Sequence, residues 1–328
     1  AATLRLRDVL VEGADRGVLV EDSAVLCAER ASVREARGPG FLVRNGAHAY
    51  ITSALVRDGA SVGVLASRAH IVMTDSLVAS NELGGIAIQG GFRGRLCSVG
   101  DTCATVAACE GVAGGFTHVR SCRSGLGAAA SAPATCVSAH GLVNVASLNN
   151  TGFGIRLQRA LPEGAERMEA DGAAVYALPG PEVVAARLVV GGTRAPAGGV
   201  PGGDGLYVGP GAIARIDAQD GMGADAMGQR SLFVGNARVG FLVDGDGPGG
   251  DVPTRYRTIA RAEVAGALVA SNRGPGMFVQ HEAALGRVAF SRFVDNAGLG
   301  LGVTTFASVA LLQNDQFAAT RPATLSTG

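Results

Sequence analysis

The hydrophobic and polar positions of this chain follow a recurring word: an apolar residue, two variable residues, Asn or Gly, three variable residues, Gly, then apolar-x-apolar. It stands as SLVASNELGGIAI ending at Ile88, SLFVGNARVGFLV ending at Val243, ALVASNRGPGMFV ending at Val279 and SRFVDNAGLGLGV ending at Val303. ALVRDGASVGVLA, ending at Ala66, carries Gly59 in place of Asn. The final glycine falls at Gly17, Gly40, Gly63 and Gly85, steps of 23, 23 and 22 residues. Later copies place it at Gly154, Gly205, Gly240, Gly276 and Gly300, with a poorer copy at Gly115. Longer steps carry insertions, which a coil extrudes as surface loops.

The alternation of the last three positions predicts short strands that bury one face only when stacked on a copy of themselves. The residue four before the glycine is Asn81, Asn150, Asn236, Asn272 or Asn296, and otherwise mostly Gly13, Gly59 or Gly111. Both types tolerate a left-handed backbone at a sharp corner, and stacked Asn side chains can hydrogen-bond along the stacking axis. A leucine-rich repeat would need a Leu frame, and a left-handed hexapeptide helix would show a period near eighteen. A β-sandwich would not hold this register. The prediction is therefore all-β: a right-handed parallel β-helix of about ten coils with loop insertions. At the cross-β spacing of ~4.8 Å it forms a rod roughly 50 Å long.

These words resemble the repeats of the pectin lyase-like superfamily over about Leu4 to Val303. That resemblance implies three strands per coil and an extended groove that in many members binds or cleaves polysaccharide, while others are structural or adhesive. One domain, residues 1–328, is expected. Within it lie a Cys-rich insertion at 92–136 and a degenerate last coil or C-terminal cap at 304–328.

Composition narrows the function. Apolar residues make up 47% of the 328 and aromatics 5%, with no Trp and 50 Gly, as suits a narrow core. The 28 basic residues, all Arg, balance 28 acidic ones, which argues against a nucleic-acid partner and removes lysine chemistry. No run of eighteen apolar residues predicts a membrane helix. The chain begins at Ala1 and enters the repeat almost at once, so it reads as a mature product or an excised part of a longer chain. Six cysteines, Cys27, Cys97, Cys103, Cys109, Cys122 and Cys136, form an even set. They are disulfide candidates of open connectivity and point to a secreted or cell-surface setting.

Candidate chemistry is sparse. Outward residues of the strand after each final glycine read Leu19, Leu42, Leu65, Ala87, Arg156, Tyr207, Leu242, Phe278 and Gly302, none of them acidic. The next position reads Glu21, Arg44, Ser67, Gln89, Gln158, Gly209, Asp244, Gln280 and Thr304, without neighbouring carboxylates. Asp58, Asp75 and Asp295 sit singly at turns, where Asp is favoured for local bonds. Asp217, Asp220 and Asp225 lie in one insertion with the oxygen chemistry calcium takes, but their spacing matches no calcium loop. His48 and His70, like His118 and His140, are 22 residues apart, which places each pair on adjacent coils without a third ligand, while His281 stands alone.

No catalytic residue, metal or cofactor is thus assigned. Leu19, Leu42, Leu65, Ala87, Tyr207, Leu242 and Phe278 would line an apolar outward stripe. A face turned to water should be polar there, so the stripe is expected to be covered by a loop, a second copy or a neighbouring domain. The expected function is a non-enzymatic extracellular scaffold of adhesion type, mediating protein or glycan interaction, with self-assembly as a corollary. The alternative is a carbohydrate-active β-helix enzyme: a polysaccharide lyase, hydrolase or epimerase.

Overall fold

Ten two-to-six-residue strands stack in parallel as one sheet, in strict chain order, in the computed structural model of the protein. They begin with Val18–Val20, Phe41–Arg44, Val62–Ser67 and Gly84–Gln89, run through Phe153–Gln158 and Asp204–Val208, and end at Thr324–Leu325. The structure describes residues 2–90, 93–97, 120–123, 134–159, 180–199, 202–217, 231–245, 259–304, 306–313, 315–318 and 324–325. Each coil supplies two further strands to a second, bent parallel sheet, for example Val25–Glu29 and Ser32–Arg34 pairing with His48–Thr52 and Leu55–Arg57. Parallel crossovers of this kind take the right hand, and the architecture is a right-handed parallel β-helix.

One face of every strand builds the core. Val18, Phe41, Val64, Ile86, Ile155, Leu206, Phe241, Met277 and Leu301 are successive register partners and all are buried. Alternation alone places them inward, and stacking then removes each from water between two equivalents.

The final glycines stack as well. A Cβ on Gly154 would lie 2.4 Å from Val190 Cγ1 and 2.6 Å from the Gly205 carbonyl oxygen, so the backbone approach admits no side chain.

The asparagine ladder follows the predicted hydrogen bonding. Asn81 Nδ2 donates to Asn150 Oδ1 at 3.0 Å, Asn236 Nδ2 to Asn272 Oδ1 at 2.9 Å, and Asn272 Nδ2 to Asn296 Oδ1 at 2.8 Å. Gly59 and Thr193 complete it through backbone N–H groups that donate to Asn81 and Asn236. The left-handed residue, however, is the one before each asparagine: Ser80, Asn149, Gly235, Ser271 and Asp295 have φ between 52° and 66°. The exposed or half-buried neighbour takes the turn, which leaves the buried asparagine free to bond along the axis.

Gly115 lies outside the described residues. The coil carrying Gly85 pairs directly with that carrying Gly154, Ile86 opposite Ile155, so no coil stands between them in either sheet. Within the intervening segment, Arg93–Cys97, Ala134–Ser138 and Arg120–Arg123 form a separate three-stranded antiparallel sheet. After Val303, residues 308–309, 312–313, 316–318 and 324–325 pair with the preceding coil.

Candidate functional site

The outward column of the ten-stranded sheet has the predicted register. Leu19, Leu42, Leu65, Ala87, Arg156, Tyr207, Leu242, Phe278 and Gly302 are consecutive partners. Leu42, Ala87 and Leu242 are buried, Leu65, Tyr207 and Phe278 half-buried, and Leu19 at the rim is 38% exposed. Two glycines make room for the rings: a Cβ at Gly209 would meet the Tyr207 ring at 2.6 Å, and one at Gly302 would meet Phe278 at 2.6 Å. At the first coils the adjoining column is an Arg44–Glu21 ion pair at 2.6 Å.

Arg156 changes the character of this face midway. Its guanidinium carbon lies 5.1 Å from the Tyr207 ring centroid and 5.7 Å from that of Phe153, cation–π geometry on both. Arg156 forms no ion pair among the described residues. The Tyr207 hydroxyl donates to Asp244 Oδ2 at 3.4 Å, Gln280 Nε2 donates to Asp244 Oδ1 at 3.1 Å, and His281 Nδ1 lies 2.8 Å from the same oxygen. Burial, and then the charge of Asp244, push the Tyr207 phenol up to about 12, so it is a proton donor across the neutral range. Arg238 and Asp204 form a two-pronged pair across the same two coils, Asp204 opening the strand that carries Tyr207, with Nε to Oδ1 at 2.7 Å.

Asp244 and His281 are thus neighbours, although 37 residues separate them. The reading of Asp244 as a position without a neighbouring carboxylate misses the phenol, amide and imidazole around it. His281 is not isolated. It follows the strand Met277–Gln280 by one residue in a left-handed turn, φ 53°, which swings its ring back over the preceding coil. Tyr207, expected within an apolar stripe, donates to the polar group centred on Asp244.

The remaining candidates resolve into structural roles or fall outside the described residues. His48 and His70 are register partners as their spacing predicts, with ring centroids 5.6 Å apart. His70 also stacks on His140 at 5.8 Å. His140 is fully buried, its Nδ1 accepts the Ile71 N–H at 3.3 Å, and burial drives its pKa down to about 3. His118, Asp220 and Asp225 lie outside the described residues, which contain no group of three or more His, Cys, Asp or Glu suited to a metal.

Asp58, Asp75 and Asp295 occupy left-handed corners with φ of 58°, 49° and 52°. Asp217 accepts the N–H groups of Arg187 and Ser231 at 3.0 and 3.2 Å, a corner-capping role, and burial raises its pKa. Cys27 is buried and is not a free thiol. Cys103 and Cys109 lie outside the described residues, as do the side chains of Cys97, Cys122 and Cys136. No helix of the described residues is long and apolar enough to cross a membrane.

The class defined by this register is the parallel β-helix. No protein-family model and no curated protein matches the chain. Among solved structures it is similar to the A-module of the mannuronan C-5 epimerase AlgE4 from Azotobacter vinelandii. The identity is 12%, over 99% of this chain and 89% of that one, with a TM-score of 0.38. It is similar also to ORF18 of Geobacillus virus E2, at 9% identity over 98% of this chain and 54% of that one, with a TM-score of 0.27. The architecture stands on the strand register of the chain itself.

Proposed function

We propose that the protein is a secreted or cell-surface β-helix scaffold that binds a glycan strand along the outer face of its ten-stranded sheet. The observation that carries this reading is the row formed by Arg156, Tyr207, Asp244 and Gln280, flanked by Phe278 and His281, on coils spaced ~4.8 Å apart. The faces of Tyr207 and Phe278 offer apolar surface to a sugar ring, Asp244 accepts from its hydroxyls, and Gln158 and Gln280 both donate and accept. Arg156, with no ion pair among the described residues, suits an acidic substituent. A row of groups repeated coil by coil fits an extended chain better than a small ligand, which calls for a concave site.

The test is calorimetric titration with a panel of neutral and acidic polysaccharides. At least one member binds, and Tyr207→Ala and Asp244→Asn each weaken it by about tenfold or more, the loss of a well-placed contact or hydrogen-bonded group. Binding untouched by both substitutions would place the ligand elsewhere.

A second reading, a polysaccharide lyase, hydrolase or epimerase, is favoured by one specific observation. Asp244 lies within hydrogen-bonding distance of both a phenol and an imidazole, groups able to move protons. Product analysis on the same panel separates the two. New chain ends or altered sugar stereochemistry, lost in Asp244→Asn, support the enzyme, and binding without product supports the scaffold.

A further inference from the structure

Charge is scarce on the outer face of the ten-stranded sheet. In its two outward columns, from Leu65 and Ser67 to Gly302 and Thr304, the charged residues are Arg156 and Asp244 and no others. They stand two coils apart, ~10 Å along the axis. The Tyr207 ring lies between them: the Arg156 guanidinium carbon is 5.1 Å from its centroid, and Asp244 accepts from its hydroxyl.

Each charge is left for a ligand to answer. Arg156 forms no ion pair among the described residues, and its Nε is buried without a hydrogen-bond partner. Phe153 and Tyr207 hold the guanidinium through their rings, which leaves its N–H groups to a planar carboxylate. Asp244 bonds a phenol, an amide and an imidazole. Arg238 also feels Asp244, but Asp204 holds it in a pair without net charge.

An extended pyranose chain lying along the axis advances by about one coil per sugar, and in its flat two-fold form every second sugar turns the same edge to the sheet. A sugar whose carboxylate meets Arg156 therefore sets the sugar two places along over Asp244 by that same edge. If that second sugar is neutral, its hydroxyls donate to Asp244. If it is acidic, carboxylate meets carboxylate on a half-buried surface where screening is weak.

We propose, resting on the glycan reading above, that the strand bound here is sparsely acidic: a uronate on Arg156 and a neutral sugar two places along on Asp244. Arg156 supplies the attraction and Asp244 the repulsion that turns away a uniformly anionic polysaccharide, since specificity needs both.

Polygalacturonate and alginate test this, each in three forms: native and uniformly anionic, partly carboxyl-reduced, and fully reduced to neutral sugars. They are titrated calorimetrically into the intact protein at low salt with a chelator present, at pH 8, above the ordinary imidazole range. For at least one polymer the partly reduced form binds about fivefold or more tighter than both the native and the fully reduced forms. Asp244→Asn moves the two charged forms in opposite directions. The native form, relieved of a repulsion, binds more tightly, and the partly reduced form, deprived of an acceptor, binds more weakly, a split that misfolding does not produce. Arg156→Gln erases the advantage of the partly reduced over the fully reduced form. A native form that binds tightest in the wild type overturns the proposal, as does Asp244→Asn shifting both charged forms the same way; if Tyr207→Ala still weakens binding in either case, the glycan reading stands without it. No binding by any form overturns the proposal as well, and the wider panel above then decides whether the glycan reading falls with it.

Discussion

At the scale of single residues the fold depends on side chains that satisfy their neighbours along the axis. Asn272 is the clearest case. Its Oδ1 accepts from the backbone N–H and the Nδ2 of Asn236, and its own Nδ2 donates to Asn296 and to the Phe233 carbonyl. Asn272→Ala leaves several buried groups unsatisfied at once, each worth about 1–3 kcal/mol, and should lower the urea midpoint far more than Asn45→Ala on the surface. The asparagine word was legible because Asn is a rare choice for a buried site. The shift of the left-handed turn onto the preceding Ser, Gly or Asp was not, since those residues serve equally as ordinary turn formers.

His140 is the residue-scale case for pH. Held near 3 in the folded chain against about 6.5 when unfolded, it binds a proton in the unfolded state first. Stability is therefore complete above pH 6.5 and falls progressively as pH drops toward 3, by an amount on the order of 5 kcal/mol. His140→Gln keeps an acceptor for the Ile71 N–H and removes the titration. Urea midpoints at pH 7 and pH 4 should converge in that variant, and an unchanged acid loss would contradict the assignment.

Among elements, alternation is what fixes which side chain meets water. Val64 and Leu65 are adjacent in one strand, the first fully buried and the second half-buried on the outer face. Val64→Asp should unfold the central coils, because an unpaired carboxylate replaces a methyl pair in the core. Leu65→Asp should shift the thermal midpoint by no more than a surface change does, about ±0.5 kcal/mol. Equal effects would mean the register is displaced by one residue.

That register was readable along the strand after each glycine, which is why every member of the Leu19 to Gly302 column stands where the repeat predicts. The Asp244 group was not readable, for two reasons. An insertion separates Asp244 from His281 by 37 residues, and His281 lies in the turn rather than the strand, outside the columns that alternation can align. The outward column Leu55, Leu77, Ala146, Val189, Leu232 and Leu268 of the bent sheet shows in the first apolar positions of the same words, SLVASN, SLFVGN and ALVASN, once the two residues on either side of the inward Val or Phe are read as outward.

For the whole molecule, a stack in which each coil touches only its neighbours should be stable in proportion to how many neighbours a coil has. The rims expose what the interior buries: Leu4 is 46% exposed at one end, Leu312 46% and Phe317 37% at the other. Leu4 belongs to the same column as Leu26, Ala49 and Ile71, and Phe317 to that of Phe293, so these are core positions with one side missing rather than surface residues. Amide exchange should accordingly rank by coil. Protection should be greatest at Ile71–Met73 and Ile86–Ile88, which are flanked by full coils on both sides, and least at Thr3–Arg7 and Gln316–Ala318, where local opening costs the contacts of one interface instead of two. Mass-spectrometric exchange on peptic fragments measures this directly. Uniform protection along the rod would show instead that the coils open as one cooperative block, and the nearest-neighbour description would fail.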